Sequence, residues 1–341
     1  MKIFQKNNIL IARFSSIGDV VLTTPILRAL KEQLPNSQIT YLSSMPMASI
    51  LENNPFIDKI FLFNKNDSKK EIQSLKNQIL EFNSNQPYDL VVDLQNNLRS
   101  KLMLSGLFKK KLKFNKNRLY KLALVHFKYF TKEPQHVVER YFDTLKPLKI
   151  VNKNYKPEIF INTELQSNKN EIIIGIAHGA NHLTKQWLPE YYATLINLLS
   201  DKYNAIFYLF GNSREAENAT KIFDLAKAKI IDYTGKLSLK ETICKISQCD
   251  YFISNDTGLM HIASALRIPI IAIFGSTVPE LGFAPYGIPY RIAQIELGCR
   301  PCTHIGRNRC PRKHFDCMRR LTPTDVFTQF EHLLNAIKKK N

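Results

Sequence analysis

The chain has no apolar run approaching the ~20 residues that a membrane-spanning helix needs. It also lacks the G-x-G-x-x-G turn of a dinucleotide-binding unit and the G-x-x-x-x-G-K-[ST] phosphate loop. Both common nucleotide fingerprints are therefore excluded. There is no internal repeat, and no aromatic-studded basic motif of the kind that reads RNA. The opening residues, Met1 to Leu10, carry neither the apolar core nor the cleavage site of a secretory leader, so the protein is expected in the cytoplasm. Carboxylates are missing altogether between Asp93 and Glu133, where eleven Lys or Arg residues stand unopposed.

What is present reads as α/β. At 341 residues and 44% hydrophobic content, the chain is long enough for two cored domains. Short β-rich runs at 8–12, 38–43, 59–63 and 89–93 alternate with helical stretches such as 26–34 and 69–82. The alternation resumes with strands at 172–177, 205–210, 230–232, 251–253 and 269–274, and a helix is expected from 324 after Thr322 and Pro323. Strands and helices in this order imply parallel sheets covered on both faces. The reading is two Rossmann-like, doubly wound domains facing a cleft. They are placed at 1–150 and 171–322, with a linker at 151–170 that carries an edge strand at 158–161, and a terminal helix at 323–341.

Two strand-to-helix loops concentrate the polar chemistry. The first is Arg13-Phe14-Ser15-Ser16-Ile17-Gly18-Asp19, where a carboxylate sits near a helix start and can accept a proton from a substrate hydroxyl. Pro25 marks either a second helix start at Thr24 or a kink. The second loop is Ser254-Asn255-Asp256-Thr257-Gly258, which opens the apolar stretch 259–266 with a carboxylate, a hydroxyl and free N–H groups. Such a point lies at the carboxyl edge of a parallel sheet and favours phosphate or a polar sugar. Helix capping is the competing role for both aspartates.

Taken together, the segments from Ile9 to Pro25, from Ala177 to Pro189 (with Lys185-Gln186-Trp187-Leu188-Pro189) and from Ser254 to Gly275 resemble glycosyltransferase family 9, the ADP-heptose:lipopolysaccharide heptosyltransferases. The resemblance covers essentially the whole chain; Leu188 adds one residue to the family's Lys-x-Trp-Pro pattern. It implies a GT-B fold with an N-terminal acceptor domain and a C-terminal donor domain. It implies inverting, metal-independent transfer of heptose from ADP-heptose to a lipopolysaccharide inner-core acceptor. Asp19 resembles the catalytic base, reaching the sugar from the face away from the diphosphate. Lys185, Asp256, Thr257, Gly258 and His261 resemble donor-binding residues, joined by Ala180 and Asn181 of the same loop and, in a looser match, by Glu215.

On the acceptor side, Arg13, Ser15, Ser16 and Gly18, with Asp93, Asn96 and Arg99 from the second strand end, suit a phosphorylated, carboxylate-bearing lipid of lipid A–Kdo type. For Asp93, Asn96 and Arg99 the alternative is support of the fold. The net charge of +19 and the basic stretch from Lys109 through Lys121, which continues among apolar residues to Phe130, suit an anionic partner. Peripheral contact with the cytoplasmic face of the inner membrane is the expectation. A same-fold enzyme with another sugar-nucleotide donor is the alternative, and a basic nucleic-acid-binding protein is a third reading. Cys299, Cys302, Cys310 and Cys317 leave open a structural Zn²⁺ site or reduced thiols. No catalytic metal is expected. Cys244 and Cys249 read as buried, and Trp187 as a packing residue.

Overall fold

The computed structural model describes residues 7–128, 134–162 and 171–339; Phe130 of the basic stretch and residues 163–170 of the linker lie outside these. Two compact units emerge: Met1–Lys116 with Val137–Ile161, and Asn117–His136 with Asn162–Asn341. The basic stretch is thus divided. Its first part falls in the N-terminal unit, and Asn117–His136 is grouped with the C-terminal one.

The first unit carries five parallel strands: β1 (Asn7–Ala12), β2 (Ser37–Ser44), β3 (Lys59–Phe63), β4 (Tyr88–Asp93) and β5 (Phe108–Lys113). They are ordered β3-β2-β1-β4-β5. Near-continuous apolar runs in β1 and β4 suit strands covered on both faces. Leu10, Leu42, Val91, Phe61 and Phe63 pack there with Met103 and Leu104. The order reverses between β1 and β4, which places the loops Arg13–Gly18 and Leu94–Asn97 at the switch point.

The second unit carries β6 (Ile172–Ala177), β7 (Ala205–Phe210), β8 (Ile230–Asp232), β9 (Tyr251–Asn255), β10 (Ile270–Ile273) and β11 (Tyr290–Ala293). They run in the order β11-β10-β9-β6-β7-β8, again parallel throughout. Its switch point falls between β6 and β9, where the loops at Ala180 and Asp256 emerge side by side. Trp187, 1% exposed, packs with Tyr192, Leu195 and Phe330 in the core and donates its indole N–H to Leu321 O at 2.9 Å. The terminal helix, Pro323–Lys338, starts in a reciprocal capping box between Thr322 and Asp325.

Several expectations need correction. β5 and β11 were not foreseen. Segment 158–161 is not a strand: Glu158 instead pairs its carboxylate with Arg28 and its N–H with Thr24 Oγ1. The run after Asp19 is two helices, Ile17–Val21 and Thr24–Gln33, with Pro25 in the first turn of the second rather than at a kink. Cys249 is buried, but Cys244 is only partly so.

Candidate active site

The N-terminal loop folds around one carboxylate. Asp19 occupies the third position of helix Ile17–Val21 and accepts from Ser16 N at 3.2 Å and Ser16 Oγ at 3.0 Å. Arg13 Nη2 pairs with it at 2.7 Å, while the rest of that guanidinium holds Ser15 O and Leu94 O. Tyr141 OH approaches the other carboxylate oxygen at 3.5 Å. Burial works to raise the Asp19 carboxyl; Arg13 and the Ser16 bonds outweigh it and hold the group below its ordinary value of 3.8. Burial likewise pulls Arg13 down, and Asp19 more than restores it. Asp19 therefore does cap its helix, yet it stays ionised, partly exposed and able to receive a proton. Gly18 is buried beneath it, and Ser15 and Ser16 are exposed.

The second strand end of this unit is turned inward. Asp93 is fully buried, 2.9 Å from Lys111 Nζ of β5, and accepts from Asn96 N and Ser100 Oγ. Asn96 spends its side-chain amide on Phe114 O. Arg99 is exposed on the following helix. The structure thus brings Asp93 and Asn96 together as supports of the β4 loop and leaves Arg99 apart from them.

In the second unit, Lys185 Nζ sits 2.7 Å from Asp256 Oδ2, and Thr277 Oγ1 donates to the same oxygen at 2.8 Å. Asp256 is spent on this pair and does not cap. Thr257 is the N-cap of helix Gly258–Ala265, but its side chain makes no cap bond; its hydroxyl lies 3.3 Å from Ser254 Oγ. The first N–H groups of this eight-residue helix therefore have no side-chain cap at Thr257. His261 is 3% exposed and near the ring of Phe283, as a core histidine would be.

Asn255, which sequence reasoning passed over, ties the site together. Fully buried, it donates to His178 O and Gly179 O and accepts from Trp187 N, so it fastens the β6 loop to the end of β9. Ala180 is buried with its carbonyl on Gln186, and Asn181 is exposed. Glu215 is buried after β7, accepts from Asn212 N, and is raised by desolvation. Its carboxyl sits where a Gly179 side chain would be: a Cβ there would lie 1.8 Å from Glu215 Cδ. Beside it, His178 donates to or accepts from Thr234 Oγ1 at 3.0 Å, and burial drops its pKa to about 4.

The Cys-rich segment braces this site. Arg300, between Cys299 and Cys302, hydrogen-bonds the carbonyls of Phe274, Gly275, Thr277 and Ile295 and the amide of Gln294. It thereby fixes the loop that presents Thr277 to Asp256. Cys302 and Cys317 are raised by burial and by their neighbouring thiols, Cys317 to about 12. Cys299 Sγ lies 3.9 Å from His314 Nε2. Among the described residues no group of three or more His, Cys, Asp or Glu side chains is arranged to hold a metal ion. Among the same residues no helix is long and apolar enough to cross a membrane.

The chain is 27% identical over 323 residues to lipooligosaccharide heptosyltransferase 2 of Campylobacter jejuni, spanning 93% of this chain and 96% of that protein. It is 30% identical over 294 residues to lipopolysaccharide heptosyltransferase 1 of Campylobacter coli, covering 79% and 84%. The solved structure of Escherichia coli ADP-heptose lps heptosyltransferase II superposes with a TM-score of 0.74 at 20% identity, covering 97% of this chain and 99% of that one. At that identity the likeness establishes the fold, two Rossmann-like units of GT-B type. Residues 78–311 match the profile of glycosyltransferase family 9 (heptosyltransferase), well over half of the chain, and the protein belongs to that family.

Proposed function

We propose that this protein is an inverting, metal-independent heptosyltransferase that moves heptose from ADP-heptose to the inner core of a lipopolysaccharide, on a lipid A–Kdo type acceptor. The observation that carries the reading is the uncapped start of helix Gly258–Ala265 next to the Lys185–Asp256 pair. A departing diphosphate gains negative charge, and a preorganised ammonium together with uncapped helix N–H groups supplies the compensation such a leaving group requires. Asp256 then serves the sugar hydroxyls. Glu215, close to the carboxyl edge of β7, serves the nucleoside, with Ala180 and Asn181 lining the approach.

Asp19 takes the proton from the acceptor hydroxyl as that oxygen attacks the anomeric carbon and the diphosphate leaves from the opposite face, inverting the centre. Its depressed pKa keeps it ionised at neutral pH, and base assistance of this kind contributes ~10²–10⁴-fold. Arg13, Ser15, Ser16 and Gly18 shape the acceptor side. Asp93, Asn96 and Arg99 enter this reading only indirectly, the first two by holding the β4 loop.

Contact with an anionic membrane face is favoured by helix Arg118–Phe127. Leu119, Leu122 and Phe127 are 82%, 52% and 79% exposed there, and they alternate with Arg118, Lys121 and His126. Exposed apolar side chains among cations suit a lipid interface rather than free solvent. We propose that the reaction takes place at the cytoplasmic face.

The test is ADP release from ADP-heptose, with and without a lipid A–Kdo acceptor, in EDTA. Acceptor-dependent release that EDTA leaves unchanged is the expected result, with an inverted anomeric linkage in the product. No release from folded protein would overturn the donor or acceptor assignment. A thermal-shift panel of sugar nucleotides would then test the alternative of another donor.

A further inference from the structure

A cavity of about 800 Å³ opens in the second unit between His182 and the segment from Gly306 to Lys313. Its lining holds three cations, Arg307, Arg309 and Lys313, and no carboxylate. Among the described residues none of the three cations forms an ion pair with Asp or Glu. Like charges gathered around one concavity repel one another, and this concentration of field is relieved by an anion. Asn308 adds an amide suited to a hydroxyl, while Pro311 and the His182 ring add flat apolar surface. The Nδ1 atom of His182 is buried and has no hydrogen-bond partner. Gly306, at φ +114°, lies against that ring; a Cβ there would come within 2.8 Å of it. The volume exceeds what one inorganic anion fills and falls within the range of small-ligand sites.

We propose that this cavity binds an anionic sugar, held through its phosphate or carboxylate by Arg307, Arg309 and Lys313. Forked guanidinium groups match both anions bidentately. The nucleotide is not the occupant, because Lys185, Glu215, Asp256, Thr257 and Gly258 do not line the cavity. Anion binding by the cavity does not depend on the glycosyl-transfer reading above. The cavity is also wired to the donor loop. Thr184 N and Oγ1 both donate to Arg307 O, and Arg307 N donates to Thr184 Oγ1 at 2.8 Å, one residue from Lys185. An occupant that settles Arg307 settles Lys185 with it.

The experiment titrates the full chain, with ADP saturating and ionic strength matched with KCl, against glucose 6-phosphate and against glucuronate by calorimetry. Wild type should bind at least one of them, and the tighter arm tells phosphate from carboxylate. The double variant R309A/K313A should lose at least about tenfold in that affinity with ADP affinity unchanged. These side chains border solvent, so the variant is expected to fold; R309K/K313R, which keeps the charge, should retain binding. Equal sugar-anion binding by wild type and R309A/K313A, or binding by neither, would overturn the proposal. Failure of ADP itself to bind would instead count against the donor-site reading, and the sugar arm would still report on the cavity without ADP.

Discussion

Lys185 and Thr277 converge on a single oxygen of Asp256, at 2.7 and 2.8 Å. A diphosphate that draws on the Lys185 ammonium must therefore compete with Asp256, and Thr277 keeps the carboxylate in place while it does. In the proposed reading, the pair is a preset exchange between sugar and phosphate recognition.

Replacing Lys185 by Ala should weaken ADP affinity by about 10–100-fold, as expected for a charge-assisted contact. Asp256→Asn should leave ADP binding nearly intact and reduce turnover with the sugar nucleotide. Calorimetry on the two single variants and the double one gives the coupling directly. Unchanged ADP affinity in Lys185→Ala would remove the phosphate role.

Asp19 and Arg13 predict a pH signature. The Asp19 carboxyl is held below its ordinary 3.8, so its ionised form, and the stability it contributes, is present above that value and is lost as pH falls through the lower folded value. The profile of kcat/KM should accordingly stay flat on its acid side across the weakly acidic range. Arg13→Met removes the charge that outweighs burial, and the acid limb should move to higher pH. Asp19→Asn should lower turnover ~10²–10⁴-fold with donor affinity little changed. An acid limb unmoved by Arg13→Met would show that Asp19 is not the titrating group.

Asp93 and Lys111 are a buried pair, their side chains 0% and 8% exposed. Removing one partner leaves a charge without compensation and costs about 3–5 kcal/mol. Lys111→Met should show that loss in denaturant unfolding, and adding Asp93→Asn should recover most of it. An acceptor KM unchanged in the double variant would confirm that the pair supports the fold; a raised KM would return Asp93 to the acceptor site.

Which parts of this molecule the sequence disclosed follows from how local each signal is. Strands 59–63, 172–177, 205–210 and 230–232 coincide with the observed β3, β6, β7 and β8, because each is a short β-rich run between helical stretches. β5 was hidden by its own lysines. It is an edge strand, and edges tolerate charge that an interior strand would not. β11, four residues long at an edge of the second unit's sheet, gave too little pattern to register. Segment 158–161 had a strand's composition but no neighbouring strand to pair with, and composition cannot report a partner.

The same distinction separates the site residues. Asp19 and Asp256 stand in strand–loop–helix junctions that a reader can find locally. Asn255 acts on partners 68 to 77 positions away, and Thr277 on one 21 away, so only the folded sheet reveals their roles.

His178 supplies a stability prediction. It is 1% exposed, and burial lowers its pKa from 6.5 to about 4 despite the opposing pull of Asp232. Between those values the unfolded chain binds a proton that the native protein refuses, so stability is complete above pH 6.5 and falls on acidification. The shift corresponds to about 3 kcal/mol by pH 4. Urea midpoints measured at pH 7, 5.5 and 4.5 should fall more steeply in wild type than in His178→Gln. Parallel slopes would mean that His178 protonates in the native state.

Arg300 provides the last test, because its side chain touches none of the proposed reacting groups and acts on them through a loop. Its fork engages four carbonyls and the Gln294 amide oxygen, and one of those carbonyls belongs to Thr277, whose hydroxyl steadies Asp256. Lysine keeps the charge but offers three donors from a single point, which cannot satisfy acceptors spread around a guanidinium plane. Arg300→Lys should therefore cost about 2–4 kcal/mol of stability, the consequence of carbonyls left buried without donors. At a temperature where the variant stays folded, kcat should fall with ADP affinity preserved, since Lys185 keeps its place while Asp256 loses its brace. Thr277→Val should reproduce that kinetic defect with a smaller loss of stability. If Thr277→Val is kinetically silent while Arg300→Lys is not, the guanidinium acts on the site by some route other than Thr277.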